Sequence, residues 1–89
     1  MYYVYVLLQH NGKLYTGYSD NLKNRIKDHN YGRVESTKFN RPLKLILYEG
    51  YLYKEDAQRR EKYLKTTEGK RMLHLQLRDC LDGIGYWLE

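Results

Sequence analysis

The spacing of apolar and polar positions changes several times along this chain, and each change marks an element. Tyr2-Tyr3-Val4-Tyr5-Val6-Leu7-Leu8 contains no charged residue and is rich in β-branched and aromatic side chains. Such a run predicts a strand covered on both faces rather than one half in water. Asn11-Gly12 follows, a common short-hairpin signal because both residues tolerate positive φ. Leu14-Tyr15-Thr16-Gly17-Tyr18 is the expected return strand. Ser19 or Asp20 can cap a helix over about Asn21 to Asn30, in which Leu22, Ile26 and His29 share a stripe and Asn30 with Gly32 closes the end. Gly32 to Arg41 has no period, and loops of this length are more often functional or mobile than incidental. After Pro42, Leu43 to Glu49 predicts a third strand ended by Gly50. A second helix is expected over about Lys54 to Thr66 and a third over Lys70 to Leu77, with Met72, Leu73, Leu75 and Leu77 apolar. The tail, residues 79–89, holds Ile84, Tyr86, Trp87 and Leu88, which either pack back on the sheet or serve a partner.

Alternation along the hairpin sets a constraint. With a two-residue Asn11-Gly12 turn pairing His10 with Lys13, Tyr5 falls opposite Tyr18 and Tyr15 points to the other face. For Tyr5 and Tyr15 to serve one site, the loop must be odd in length or bulged, with Gly12 left-handed; that irregularity is predicted. Gly17, inside a strand, marks either close approach by another backbone or a ligand, or plain packing. Arg25 and His29 are four apart on the first helix, so they project from one side at the border of its buried stripe. On the second helix, Ala57, Glu61 and Leu64 fall at i, i+4 and i+7, which puts a carboxylate in the core-facing stripe. An acid there is costly unless it meets a cation.

Length and composition narrow the classes. The 89 residues suit one domain with one core. The absence of a long apolar run or signal-peptide pattern makes a cytoplasmic protein the default. Cys80 is the only cysteine, which excludes an intrachain disulfide and a thiolate metal cluster and leaves it as a small apolar residue. Sixteen Lys and Arg against eleven Asp and Glu give a net charge of +5, which favours phosphate-bearing partners. Eleven tyrosines against one phenylalanine supply rings that pack or stack while holding a hydroxyl at a polar boundary.

Tyr3-Val4-Tyr5, then Tyr15-Thr16-Gly17 ten residues after Tyr5, Arg25 ten further on and His29 one turn later, together resemble the core of the GIY-YIG endonuclease family. Tyr3, Val4 and Thr16 depart from the residues that give the family its name, while the second tyrosine of each pair and Gly17 are retained. Asp56-Ala57-Gln58-Arg59-Arg60-Glu61 resembles the family's segment with the metal-binding glutamate, so the likeness runs from about Tyr2 to Leu73. No asparagine follows Asn40, so the family's downstream asparagine has no counterpart. The resemblance implies an α+β fold in ββαβαα order, a three-stranded antiparallel sheet flanked by helices. It also implies a metal-dependent nuclease whose site comprises Tyr5, Tyr15, Arg25, His29 and Glu61.

Each of those residue types suits phosphodiester hydrolysis, and each also has a plainer reading. Glu61 suits a hard divalent ion, Mg2+ or Mn2+, with waters and phosphate completing the shell; the plainer reading is an ion pair with Arg or Lys. Arg25 suits a phosphate because its planar guanidinium can contact two oxygens, though many helix arginines are only solvated. Tyr5, supported by Tyr15, can orient or deprotonate the attacking water if cations lower its pKa. His29 can hydrogen-bond a phosphate or a tyrosine hydroxyl, and at an unshifted pKa it would titrate near pH 6.5. Arg33, Lys38 and Arg41 make the loop a candidate nucleic-acid contact. Relatives that carry added DNA-binding modules choose their cut site with them; here the expected substrate is DNA, branched or single-stranded, chosen by the domain surface, a protein partner or a second copy. The competing readings are a non-catalytic module that stacks bases of single-stranded nucleic acid on a basic, tyrosine-rich surface, and an interaction domain that docks Ile84 to Leu88 on a partner.

Overall fold

The computed structural model describes residues 1–84; Tyr86, Trp87 and Leu88 of the expected tail lie outside the described residues. The elements are β1 (Tyr2–Leu8), β2 (Leu14–Ser19), α1 (Leu22–Asn30), a single 3-10 turn (Lys38–Asn40), β3 (Lys44–Tyr51), α2 (Lys54–Leu64), α3 (Thr67–Gln76) and α4 (Arg78–Gly83). The three strands form one antiparallel sheet in the order β2-β1-β3. The central position of β1 accounts for its unbroken apolar run: Val4, Tyr5, Val6 and Leu7 are all at most 1% exposed.

The hairpin has the predicted irregularity. Tyr5 pairs with Gly17 and Leu8 with Leu14, so Gln9 faces Lys13 around a three-residue loop of His10, Asn11 and Gly12. Gln9 N donates to Lys13 O at 3.0 Å, Gly12 N donates to Gln9 O at 2.9 Å, and Gly12 adopts φ 85°. The odd loop length puts Tyr15 and Gly17 on the same face as Tyr5. A second irregularity lies on the other side of β1, where Val6 pairs with Leu47 but Leu7 with Leu45. Ile46 is therefore an extra residue in β3, and both Leu45 and Tyr48 share the Tyr5 face.

The two faces of the sheet have different coverings. Behind it, Val4 and Val6 pack with Ala57 and Leu64 of α2, Leu73 of α3, and Leu77 and Leu81, with Leu14, Tyr18, Leu47 and Cys80 partly buried around them. In front, Tyr5 and Leu7 are covered by the α1 side of the fold, where His29, Val34 and Thr37 are buried. Among the described residues no helix is long and apolar enough to cross a membrane.

Several boundaries differ from the sequence reading. Asn21 caps α1, its side chain accepting from Asn24 N at 3.2 Å, while Ser19 Oγ accepts from Asn21 N one step earlier. Strand β3 continues through Gly50 to Tyr51, because β1 still offers Tyr3 and Tyr2 as partners there. Helix α3 begins at Thr67 behind a Thr66 cap and ends at Gln76, and α4 occupies the start of the expected tail, giving ββαβααα. Met72 and Leu75 point outward; Leu73, Leu77 and Leu81, spaced by four, carry the contact. Leu81→Ala should lower stability by about 2–5 kcal/mol, read as a fall in the urea midpoint; an unchanged midpoint would show that α4 does not contribute to the core.

Candidate active site

Hairpin alternation and the end of α1 bring four of the expected residues together. The Tyr5 and Tyr15 ring centroids are 6.4 Å apart, and the His29 ring lies 5.5 Å from Tyr5 and 5.2 Å from Tyr15. Tyr5 Oη and His29 Nε2 are 2.7 Å apart, and His29 Nδ1 and Thr37 Oγ1 2.8 Å apart. Tyr5, His29 and Thr37 are each 0% exposed. Gly17 makes room for this arrangement: a Cβ there would collide with Cζ and Oη of Tyr5 and lie 2.9 Å from its Cε1. The close approach expected at Gly17 thus comes from the Tyr5 ring.

His29 bridges two buried hydroxyls. Its Nδ1 meets Thr37 Oγ1 and its Nε2 meets Tyr5 Oη, and in the neutral imidazole one ring nitrogen donates while the other accepts. Burial raises the Tyr5 pKa; a hydrogen bond and the positive charge from Arg25 oppose that rise, while Tyr15 and Glu61 reinforce it. Burial, helped by the Arg25 charge and opposed by Asp28, lowers His29 to about 4. The expected titration near neutrality is corrected accordingly: His29 is neutral there because its ring is sealed beside a cation.

Arg25 is half-buried on α1 and pairs with no carboxylate among the described residues, so its charge is available at the mouth of this cluster. Glu61 comes from α2, near enough for its charge to raise both Tyr5 and Tyr18. Sequence reading put its carboxylate in the core stripe. Instead Ala57 and Leu64 are buried and Glu61 sits at the stripe's edge, its side chain 24% exposed and paired with Lys65 at 3.1 Å. Among the described residues this pair engages Oε2 alone. No group of three or more His, Cys, Asp or Glu side chains able to hold a metal occurs among the described residues. The donor set therefore fits a hard ion that takes one protein carboxylate and completes its shell with water and phosphate.

The loop cations have local partners. Arg33 pairs with Asp28 at 3.3 Å and lies over the Tyr31 ring, and Lys38 pairs with Glu35 at 2.9 Å and lies over Phe39. Arg41 donates to the carbonyls of Lys38 and Asn30 and packs across Gly32. Arg41 thus staples the loop that delivers Thr37. Thr37 itself was missed from sequence, since a lone Thr in an aperiodic loop carries no local signal.

The profile of the GIY-YIG catalytic domain matches residues 1–74. The chain belongs to the GIY-YIG catalytic-domain family. Within it, the chain is similar to UPF0213 proteins: one from Clostridium perfringens (strain 13 / Type A) is 41% identical over 76 residues, covering 84% of this chain and 82% of the relative. Another, from Staphylococcus saprophyticus, is 36% identical over 75 residues, covering 83% and 92%. The solution NMR structure of a UPF0213 protein from Bacillus halodurans superposes with a TM-score of 0.53 at 34% identity over 82% of each chain.

Two outcomes follow from the buried triad. The unfolded chain protonates its histidine below about pH 6.5, whereas folded His29 stays neutral down to about 4. This site's contribution to stability is therefore complete above pH 6.5 and is lost as pH falls toward 4, by on the order of 3 kcal/mol. Urea titrations from pH 7 to 4.5 should show that loss, and His29→Gln should flatten it. Thr37→Val removes the Nδ1 partner, so the 15N shifts of the His29 ring should change; unchanged shifts would show that this hydrogen bond does not set the state of the ring.

Proposed function

We propose that this chain is a metal-dependent endonuclease that hydrolyses phosphodiester bonds of DNA. Cutting is structure-selective or weakly sequence-specific and serves DNA repair or processing. The observation that carries this reading is the convergence of Arg25, a cation with no carboxylate partner among the described residues, on a buried phenol that is hydrogen-bonded to a neutral imidazole. The family's catalytic-domain match supports it.

In this mechanism Arg25 binds two phosphate oxygens and holds the scissile phosphorus at the cleft. Tyr15 orients a water, and Tyr5 takes its proton while passing its own phenolic proton to Nε2 of the neutral His29. The Arg25 charge stabilises the phenolate character that develops on Tyr5 in this relay, and the neutrality of His29 leaves its ring able to receive the proton. The water oxygen forms the new bond to phosphorus, the bond to the sugar oxygen breaks, that oxygen takes up a proton from solvent, and His29 returns its proton to solvent. Glu61 would hold a magnesium or manganese ion, which would supply Lewis-acid charge for the phosphate and the departing oxygen. Lys65, paired with Glu61 in the structure, would release that carboxylate to it. Arg33 and Lys38, at the loop surface, supply further charge along the strand.

The second reading, a non-catalytic module for single-stranded nucleic acid, draws support from the existing Glu61–Lys65 pair, which leaves the acid with a structural role. Divalent-ion dependence separates the two. Wild type, Glu61→Ala and Arg25→Ala would be assayed on labelled single-stranded, duplex, flap and four-way DNA with magnesium, manganese or chelator. The nuclease reading expects metal-dependent cleavage that falls about 100-fold or more in each variant while binding persists. Binding without cleavage in every condition, unaffected by Glu61→Ala, would replace it with the second reading.

A further inference from the structure

We propose that the groove between α1 and the front of the sheet receives an unpaired nucleotide of the substrate strand, beside the bond that is cut. This rests on the nucleic-acid reading above and assigns its selectivity to a place. The groove has a volume of about 610 Å³, and its floor includes Tyr3, Leu45 and Tyr48. Tyr48 lies directly across from Tyr5 in the β1–β3 register, so the floor adjoins the candidate site. The bulge at Ile46 turns Leu45 to this same face.

The floor is aromatic and open. Tyr3 and Tyr48 meet edge to face with centroids 6.4 Å apart, and Tyr48 is 58% exposed. The exposed Tyr48 ring, braced by the half-buried Tyr3 on a rigid sheet, offers one apolar face for a base, and stacking of this kind tolerates any base because each has a π face. The wall is cationic. Lys23 and Lys27, one turn apart on α1, line it, and neither forms an ion pair among the described residues. Asp20 lies on the rim, where it repels phosphate and can accept from an exocyclic amine of a base.

An occupant must therefore be flat and apolar on one side and polyanionic on the other. A nucleotide meets both demands, whereas a peptide or lipid chain meets only one. Bases inside a duplex are stacked on their neighbours, so the floor is reachable only by a base in a single strand, at a junction or at a flap. Selectivity for such structures follows from the sheet itself.

Fluorescence anisotropy in chelator would compare a labelled dT10 strand with an abasic sugar–phosphate strand of equal length and charge. Wild type should bind the base-bearing strand at least about 5-fold more tightly. Tyr48→Ala should erase most of that preference while keeping the salt dependence, and Tyr48→Phe should retain the preference. Tyr63→Ala, on α2, should behave as wild type. Lys23→Gln with Lys27→Gln should reduce the slope of log affinity against log salt by about 1.4 and leave the base preference intact. Equal affinity for the two strands, or a preference indifferent to Tyr48→Ala, would overturn the groove assignment and leave the nuclease reading standing. Failure of wild type to bind either strand at low salt would overturn both.

Discussion

The length of one loop decides whether this molecule has a site. Side chains in a strand alternate, so an even connection between β1 and β2 would send Tyr15 to the back of the sheet, into the layer filled by α2. The three-residue loop with Gly12 at φ 85° reverses that, and Gly17 then leaves the space into which Tyr5 lays its ring. Arg25 and His29 complete the cluster because four residues on a helix make one turn. None of these positions can be moved independently of the others.

Burial gives the cluster its chemistry. Three polar groups with no solvent exposure would be costly if unpaired, yet no buried side-chain nitrogen or oxygen lacks a partner among the described residues. The chain from Thr37 through His29 to Tyr5 engages both ring nitrogens and so fixes the orientation of the imidazole. The same low-dielectric setting that keeps His29 neutral strengthens the influence of Arg25 on Tyr5. Arg41 takes part indirectly: its bonds to the carbonyls of Lys38 and Asn30 tie the 32–41 loop to the end of α1, so its contribution is to shape rather than to surface charge.

Much of this was legible in the residues because it follows from short-range rules. Alternation predicted the odd loop, helical spacing put Arg25 with His29, and a featureless apolar run predicted that β1 is covered on both faces. What sequence reading missed depends on contacts between distant segments. Thr37 is defined by a hydrogen bond to a residue eight positions earlier, across a loop without period. The lowered His29 pKa depends on burial under that loop. Helix α4 was hidden because the apolar spacing of Leu73, Leu77 and Leu81 runs through the break at Leu77, and the bulge at Ile46 is set by pairing with β1 rather than by any feature of β3 itself. Glu61 was placed on the correct element but too deep, since a stripe drawn at fixed spacing does not register the small rotation that leaves a side chain at its edge.

The central claim is that Glu61 and the Tyr5 cluster form one ion-assisted site, and Mn2+ titration followed by NMR tests it without reference to turnover. Paramagnetic broadening of amide signals should centre on Glu61 and extend to Tyr5 and Tyr15, and Glu61→Ala should abolish it while the fold persists. Broadening centred elsewhere on the surface, or indifferent to Glu61→Ala, would contradict the account.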